Sequence, residues 1–334
     1  MTRPTVAAIV VAFDSGDALE RCLDSLADVD VVVVNNGGPG PEIEAAPLRP
    51  RVRLLEARND GFGAGCNRGA EAADADTLVF LNPDTVALPG AVAALVRRLE
   101  DPQVGAVQAR LRLLECPDRL NSGGNVLHVS GLAWPGGYGE PADALTEPHE
   151  IAYASGAAFA IRAELFRELG GFAEELFLYQ EDLDLCWRVH QRGLGVVVEP
   201  GADVLHEYVL ERAGRSKEYY LERNRLVFVL TAYSGRLLLL LAPVLLAVEA
   251  GIVLVSIRQG WWRDKVRGWA WLCANAGWLR ERRSALQLRR TVADRDLARF
   301  LTPVVDARML ALPPGIAALN GLVSAWWRCV RVLL

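Results

Sequence analysis

The sequence predicts an α/β fold, with a mostly parallel sheet flanked by helices, followed by a helical C-terminal region. Short apolar runs alternate with amphipathic helical patterns through the first 110 residues. This alternation is typical of βαβ units. A 21-residue apolar stretch then covers residues 237–257, and the tail after it is basic and rich in tryptophan.

The predicted elements of the α/β part follow one another closely. Predicted strands cover residues 6–12, 29–34, 52–56, 77–81, 153–161 and 195–199, and predicted helices cover 17–27, 63–73, 90–99, 163–169 and 181–192. A Gly/Pro-rich stretch, 121–149, predicts a loop over the rim of the sheet. Ligands of such sheets bind beyond the carboxyl ends of the strands. The polar clusters at 13–17, 35–40 and 82–85 are therefore expected along one rim.

The composition indicates a folded chain whose two parts carry opposite charge. Hydrophobic residues make up 51% and charged residues 23%, which excludes a disordered chain. The six cysteines are far apart and form no CxxC pair, so we expect neither a zinc knuckle nor disulfides. Residues 1–257 contain 22 Lys and Arg against 36 Asp and Glu, whereas residues 258–334 contain 14 against 5. No signal-peptide pattern opens the chain, and we expect the catalytic part in the cytoplasm.

Three polar clusters near the ends of apolar runs carry the candidate chemistry. Asp84 in LNPDT can hold a divalent cation that neutralises a diphosphate, although Asn-Pro-Asp is also ordinary turn chemistry. Asp182 begins a predicted helix, where it can accept a hydroxyl proton or merely cap the helix. His206 follows another apolar run and can either complete a metal site or have a purely structural role.

The order and spacing of these clusters resemble glycosyltransferase family 2, whose catalytic domain has the GT-A fold. The resemblance covers residues 5 to about 230. VVVVNNGG is similar to the family's second strand and turn, and LNPDT stands where the family has its DXD metal motif. The segments NDGFGAGCNRGAEAA and KEYYLERNRL resemble the rhamnosyltransferase-like branch, and the block ending in YQEDLDLCWR resembles the acceptor side.

The resemblance implies an inverting transferase and assigns roles to particular residues. Asp182 is the implied general base, with Glu181 supporting the acceptor side. Asp84 and His206 are the implied ligands of Mg²⁺ or Mn²⁺. The residues implied to bind the donor are Phe13, Asp14, Asn36, Asn59, Asn67, Asn82 and Asp84.

The sequence departs from the family pattern at four places. Asp14 replaces the usual asparagine, and Asn35 replaces the usual aspartate that can accept from a base imide. The DXD motif contributes one carboxylate, which predicts a weakly held metal, and Glu-Tyr follows His206 instead of a glycine-rich run. The branch implies dTDP-L-rhamnose or a related deoxysugar as donor and a lipid-linked cell-envelope glycan as acceptor. A UDP-sugar donor stays open.

Other function classes fit the sequence less well. A dinucleotide-dependent oxidoreductase would need a third glycine at position 66 of GFGAGCNRG, where the chain has Cys66. A non-catalytic nucleotide-sugar or glycan-binding module would not need both Asp84 and Asp182. No nucleic-acid partner is expected, because the basic residues accompany apolar segments.

The apolar stretch 237–257 predicts contact with a membrane. Its length suffices for a transmembrane helix, but a single span would export a tail of net charge +9. We therefore favour a helix or hairpin lying in the cytoplasmic face of the cell membrane, with arginines beside anionic headgroups. The alternative is a buried interface of a homo-oligomer. The sequence thus predicts a catalytic domain at 1–232 and a membrane-associated region at 233–334.

Overall fold

The computed structural model describes residues 4–208, 217–306, 308 and 315–334. These residues form two compact units. The first contains the described residues of Met1–Asn125, Pro135–Val189 and Leu194–Val209. The second contains those of Val126–Trp134, His190–Gly193 and Leu210–Leu334.

Strands and helices alternate through the first half of the chain, and helices dominate the rest. The strands are β1 (Val6–Ala12), β2 (Asp30–Asn35), β3 (Val52–Glu56), β4 (Thr77–Leu81), β5 (Thr85–Ala87), β6 (Val104–Leu113), β7 (Leu120–Ser122), β8 (Asn125–His128), β9 (Ala133–Pro135), β10 (His149–Glu150), β11 (Ala158–Arg162), β12 (Gly195–His206) and β13 (Leu301–Thr302). The helices are α1 (Asp17–Asp24), α2 (Pro41–Ala45), α3 (Phe62–Ala72), α4 (Ala91–Arg98), α5 (Ala163–Leu169), α6 (Glu181–Gln191), α7 (Lys217–Ala232), α8 (Gly235–Gln259), α9 (Trp262–Ala274), α10 (Ala276–Arg289), α11 (Asp294–Leu297) and α12 (Ile316–Leu333).

The first unit is built on a mixed sheet in the order β10-β12-β6-β11-β4-β1-β2-β3. β1 pairs in parallel with β2 and β4, and β2 pairs in parallel with β3. β11 runs antiparallel between β4 and β6. The central strands β1 and β4 are buried at nearly every position, which explains why their sequences are almost entirely apolar. The predicted α/β class, a sheet flanked by helices, is confirmed, and the sheet is mixed because β5, β7, β10 and β11 pair antiparallel with their neighbours.

The structure differs from the sequence prediction around the antiparallel strands. The ten-residue β6 was not predicted, and the predicted loop 121–149 contains short strand pairs. The strand predicted from residue 153 begins at Ala158. The N–H groups before Ala158 donate to side chains and not to a neighbouring strand: Ser155 N–H donates to Gln108 Oε1, and Gly156 N–H donates to Asp182.

The second unit is mainly helical. α9 packs against both α7 and α8, α10 packs against α7, and α12 packs against α8. Among the described residues, α8 is the one helix long and apolar enough to cross a bilayer, with a mean hydropathy of 2.7 over its most apolar window. Its carboxylate, Glu249, pairs with Arg225 of α7 and with Lys265 of α9, whose Nζ lies 2.8 Å from Glu249 Oε1. The charge within the apolar helix is therefore compensated inside the bundle.

Candidate active site

The two predicted acids, Asp84 and Asp182, lie on the same rim of the sheet. Asp84 belongs to the turn between β4 and β5, and the Asn82 N–H of that turn donates to Ala157 O at 2.9 Å. The adjacent Gly156 N–H donates to Asp182 Oδ2, also at 2.9 Å. Both acids therefore flank one short backbone segment just before β11, although about a hundred residues separate them in the chain.

Asp84 faces His206, the last residue of β12. The antiparallel pairing of β5 with β12 sets His206 opposite Thr85, and His206 Nε2 lies 3.4 Å from Asp84 Oδ1. The other ring nitrogen, Nδ1, lies 2.9 Å from Asn121 Oδ1. Because an amide oxygen only accepts, this contact uses Nδ1 as the donor, and Nε2 is the ring nitrogen that faces the Asp84 carboxylate. Sequence reasoning missed Asn121, which lies in the predicted loop.

This pair has the separation expected of two ligands of one divalent cation. Carboxylate oxygens and imidazole nitrogens bind such ions at about 2.0 to 2.2 Å, so adjacent ligands lie about 3 Å apart. Within the parts of the chain that the structure describes, no three His, Cys, Asp or Glu side chains form a metal-binding group. Asp84 and His206 can thus provide two ligands, and the rest of a coordination shell would come from water and a diphosphate.

Asp182 sits in the first turn of α6 beside the buried Glu181. Burial raises the pKa of Asp182, but N–H groups of Gly156 and Leu183 donate to its two oxygens and favour its charged form. Burial and the negative charge of Asp182 together raise the pKa of Glu181 to about 8. Glu181 Oε2 receives no hydrogen bond from the residues described here. The hydrogen bonds to Asp182 favour its charged form and the raised pKa of Glu181 favours its protonated form, so Asp182 is the better placed of the two to act as a base.

A strained backbone segment fixes the start of α6. Phe177, Tyr179 and Gln180 have φ of 63°, 70° and 65°, in the left-handed region that non-glycine residues rarely adopt. Phe62 N–H of α3 donates to Phe177 O at 2.8 Å. A Cβ on Gly61 would lie 2.2 Å from the same oxygen, so only glycine fits there. The Asn-Asp-Gly-Phe motif thereby positions the helix that carries Asp182.

Four of the predicted donor-binding residues lie at the ends of β1, β2 and β3. Phe13 follows β1 with 54% of its side chain exposed, and Asp14 is also exposed, with φ of 47°. Asn36 is buried and donates to Gly61 O at 3.3 Å, while Asn59 Oδ1 accepts from Gly61 N–H at 3.1 Å. The exposed Phe13 and Asn59 border the rim, whereas Asn36 ties the end of β2 to the start of α3.

Asn67 does not line this rim. Its Nδ2 donates to Phe172 O at 3.0 Å and to Glu174 Oε1 at 2.9 Å, and its Oδ1 accepts from Phe172 N–H at 2.8 Å. These bonds tie α3 to the loop after α5. The placement argues against the predicted donor-binding role of Asn67, because its polar groups are already used five residues into the helix.

A cavity of about 1440 Å³ lies away from the predicted site residues. Its lining includes Val6 and Asp30 at the amino-terminal ends of β1 and β2, together with α1 and α4. The candidate site is at the opposite, carboxyl ends of these strands. The residues that line this cavity include none of the predicted site residues, so the polar rim stays the candidate site.

The chain resembles known proteins in both sequence and fold. The sequence model of Glycosyl transferase family 2 matches residues 7–170. The chain is 30% identical over 262 residues to the N-acetylglucosaminyl-diphospho-decaprenol L-rhamnosyltransferase of Mycobacterium tuberculosis, covering 68% of this chain and 84% of that protein.

Two solved glycosyltransferases share the fold. GalNAc-T7 with UDP, GalNAc and Mn²⁺ superposes with a TM-score of 0.57 at 18% identity, covering 69% of this chain and 48% of that one. The chain thus spans about half the length of GalNAc-T7. The mannosyltransferase PcManGT from Pyrobaculum calidifontis, with GDP-Man and Mn²⁺, gives 0.50 at 17% identity over 99% and 87% of the two chains. The fold, the motifs and the family match together show that this chain is a glycosyltransferase of family 2.

Proposed function

We propose that the enzyme transfers rhamnose or a related deoxysugar, with inversion, from a nucleoside diphosphate donor to a lipid-linked glycan. The observation that carries the proposal is the placement of the Asp84–His206 pair and the Asp182 carboxylate around one backbone segment at the sheet rim. The mycobacterial relative is named as an L-rhamnosyltransferase acting on a decaprenol-linked N-acetylglucosamine. Its name supports rhamnose as the transferred sugar, and dTDP-rhamnose is the donor that we propose.

The residues of this rim divide the work of a single displacement. Asp182 takes the proton of an acceptor hydroxyl while that oxygen forms its bond to the anomeric carbon and the bond to the diphosphate oxygen breaks. Attack from the face opposite the leaving group inverts the configuration. Asp84 and His206 would hold Mg²⁺ or Mn²⁺, which when bound neutralises the charge of the diphosphate. Glu181, protonated and buried, adds no second charge beside the base.

A nucleotide-sugar screen tests the donor assignment. With Mn²⁺ present, a donor at a hundred times its Kd stabilises the folded protein by about 2.7 kcal/mol, visible as a rise in Tm. We expect the largest rise with dTDP-rhamnose, a smaller one with UDP-sugars, and loss of the rise on chelation. If no nucleoside diphosphate or its sugar shifts Tm, the donor site is wrongly placed.

A turnover assay separates an enzyme from a binding module. Metal-dependent release of nucleoside diphosphate from the donor, abolished by a chelator, is expected of the transferase. Binding without release in the presence of a polyprenyl-diphosphate-linked acceptor would favour the non-catalytic alternative.

We also propose that the helical unit lies in the membrane surface and does not cross it. α7 precedes α8 and α9 follows it, yet Lys265 of α9 pairs with Glu222 of α7. Glu249 of α8 belongs to the same cluster, so an α8 that crossed the bilayer would carry these buried charges into the hydrocarbon core. The exposed residues Leu239 and Leu246 lie on one face of α8, and the buried Leu241 lies on the opposite face. This face and the basic tail suit an anionic lipid surface.

Vesicle flotation tests the attachment. Leu246, 71% exposed, contributes about 1.5 to 3 kcal/mol if it inserts, so Leu246→Glu should lower binding to anionic vesicles by at least about tenfold. Leu48→Glu, at a residue 83% exposed in the first unit, is the matched control and should float like the wild type. Equal flotation of both variants, or a dimer that does not float, would favour the buried-interface alternative.

A further inference from the structure

The side chain of Asn35, at the end of β2, has its hydrogen-bonding groups committed within the protein. Its Nδ2 donates to Gly38 O at 2.9 Å and to Glu56 Oε2 at 2.8 Å, and its Oδ1 accepts from Gly37 N–H at 3.0 Å. Only 2% of Asn35 is exposed. Both amide hydrogens are used, so Asn35 cannot offer a donor to a ligand without breaking these bonds.

Glu56 stands beside Asn35 and is exposed. The parallel register of β2 and β3 pairs Asn35 with Glu56, the last residue of β3. The Asn35 amide holds one carboxylate oxygen, which fixes the direction of the side chain, and the exposed position leaves the carboxylate open to a ligand. The pair thus places the Glu56 carboxylate, a negatively charged hydrogen-bond acceptor, at the rim beside the end of β2, where Asn35 itself has no charge.

The neighbouring strand supplies an aromatic surface for the same ligand. Phe13 follows β1, and β1, β2 and β3 are adjacent, so Phe13 and Glu56 lie about 10 Å apart across two strand spacings. A Cβ on Gly37 would lie 2.8 Å from Asp14 N and 3.0 Å from Phe13 Cα. The turn after β2 therefore packs directly on the Phe13 backbone. A nucleobase stacked on the Phe13 side chain would reach Glu56 with its edge.

We propose that Glu56, oriented by Asn35, determines the nucleobase of the donor. Its carboxylate accepts the ring N–H on the Watson–Crick edge, which uracil and thymine carry at N3 and guanine carries at N1. Cytosine and adenine present a ring-nitrogen lone pair at that position and are repelled by the carboxylate. This inference rests on the donor site proposed above.

Calorimetric binding of nucleoside diphosphates in Mn²⁺ tests the assignment. In the wild type, UDP should bind at least about tenfold more tightly than N3-methyl-UDP, which lacks the N–H, and more tightly than CDP or ADP. Glu56→Gln still accepts from Asn35 but has no charge, and should bring the ratio of Kd for N3-methyl-UDP to UDP close to one. Glu71→Gln, exposed on the last turn of α3, removes the same charge and should keep the wild-type ratio. Parallel titrations with dTDP and GDP identify which nucleobase donates its ring N–H to Glu56.

The failure of this inference is distinct from failure of the donor site. Binding of UDP that N3-methylation does not weaken, a Glu56→Gln variant that keeps the tenfold ratio, or preferred binding of CDP or ADP would each overturn the role of Glu56 while leaving a nucleotide site in place. The absence of binding by any nucleoside diphosphate would instead remove the proposed function and this inference with it.

Discussion

Replacing Glu181 by glutamine should change how the stability of the protein depends on pH. The pKa of this buried carboxyl rises from its ordinary 4.5 to about 8 in the folded protein. Between these values the folded state binds one more proton than the unfolded state, so unfolding releases a proton and stability falls as pH rises. The slope approaches about 1.4 kcal/mol per pH unit, or about 3 kcal/mol between pH 5.5 and pH 8.

Glutamine at position 181 has the shape of the protonated acid and cannot ionise. Urea unfolding of the wild type in detergent should therefore show a free energy of unfolding that declines between pH 5.5 and pH 8, and Glu181→Gln should lack this part of the decline. Glu164→Gln, at an exposed residue of α5, is the control for loss of one carboxyl and should keep the wild-type slope. Equal slopes in the wild type and Glu181→Gln would show that the proton is not held at Glu181.

Two further substitutions separate structural from functional residues. Asn67→Ala removes three hydrogen bonds to the loop after α5 and should lower the free energy of unfolding by about 1 to 3 kcal/mol, measured in urea, with no change in nucleotide Kd. A raised Kd with unchanged stability would return Asn67 to the donor site. His206→Asn should raise the Mn²⁺ concentration for half-maximal turnover by about 10- to 100-fold, with turnover recovering at saturating metal. An unchanged Mn²⁺ titration would show that His206 is only structural.

Several parts of the fold could be predicted because local pattern and tertiary structure agree. The bounds predicted for β1, β3, β4 and α5 agree with the structure to the residue. β6 was not predicted because its centre contains a polar residue, Gln108. This residue is fully buried, and its Oε1 accepts a hydrogen bond from Ser155 N–H. A polar residue satisfied by a distant segment has no signature in the local sequence.

The candidate site shows the same division. Asp84, Asp182 and His206 each follow from a local motif, and the structure places them on one rim. Neither Asn121 nor Glu56 could be found in this way, because each is brought to the rim by a hydrogen bond to a residue more than 20 positions away, His206 for Asn121 and Asn35 for Glu56. Asn67 was predicted to bind the donor from its motif alone, which does not reveal that its side chain bonds to Phe172 and Glu174.

The central claim is that Asp84 and Asp182 act in one cleft, the first on the cation and donor and the second on the acceptor proton. Donor binding by calorimetry and product formation, measured together for Asp182→Asn and Asp84→Asn, test it most directly. Asp182→Asn should bind donor with Mn²⁺ within about threefold of the wild type while turnover falls by about 10² to 10⁴. Asp84→Asn should lose the Mn²⁺-dependent part of donor binding. An Asp182→Asn enzyme that turns over but no longer binds donor, or an Asp84→Asn enzyme with unchanged Mn²⁺ dependence, would contradict the account.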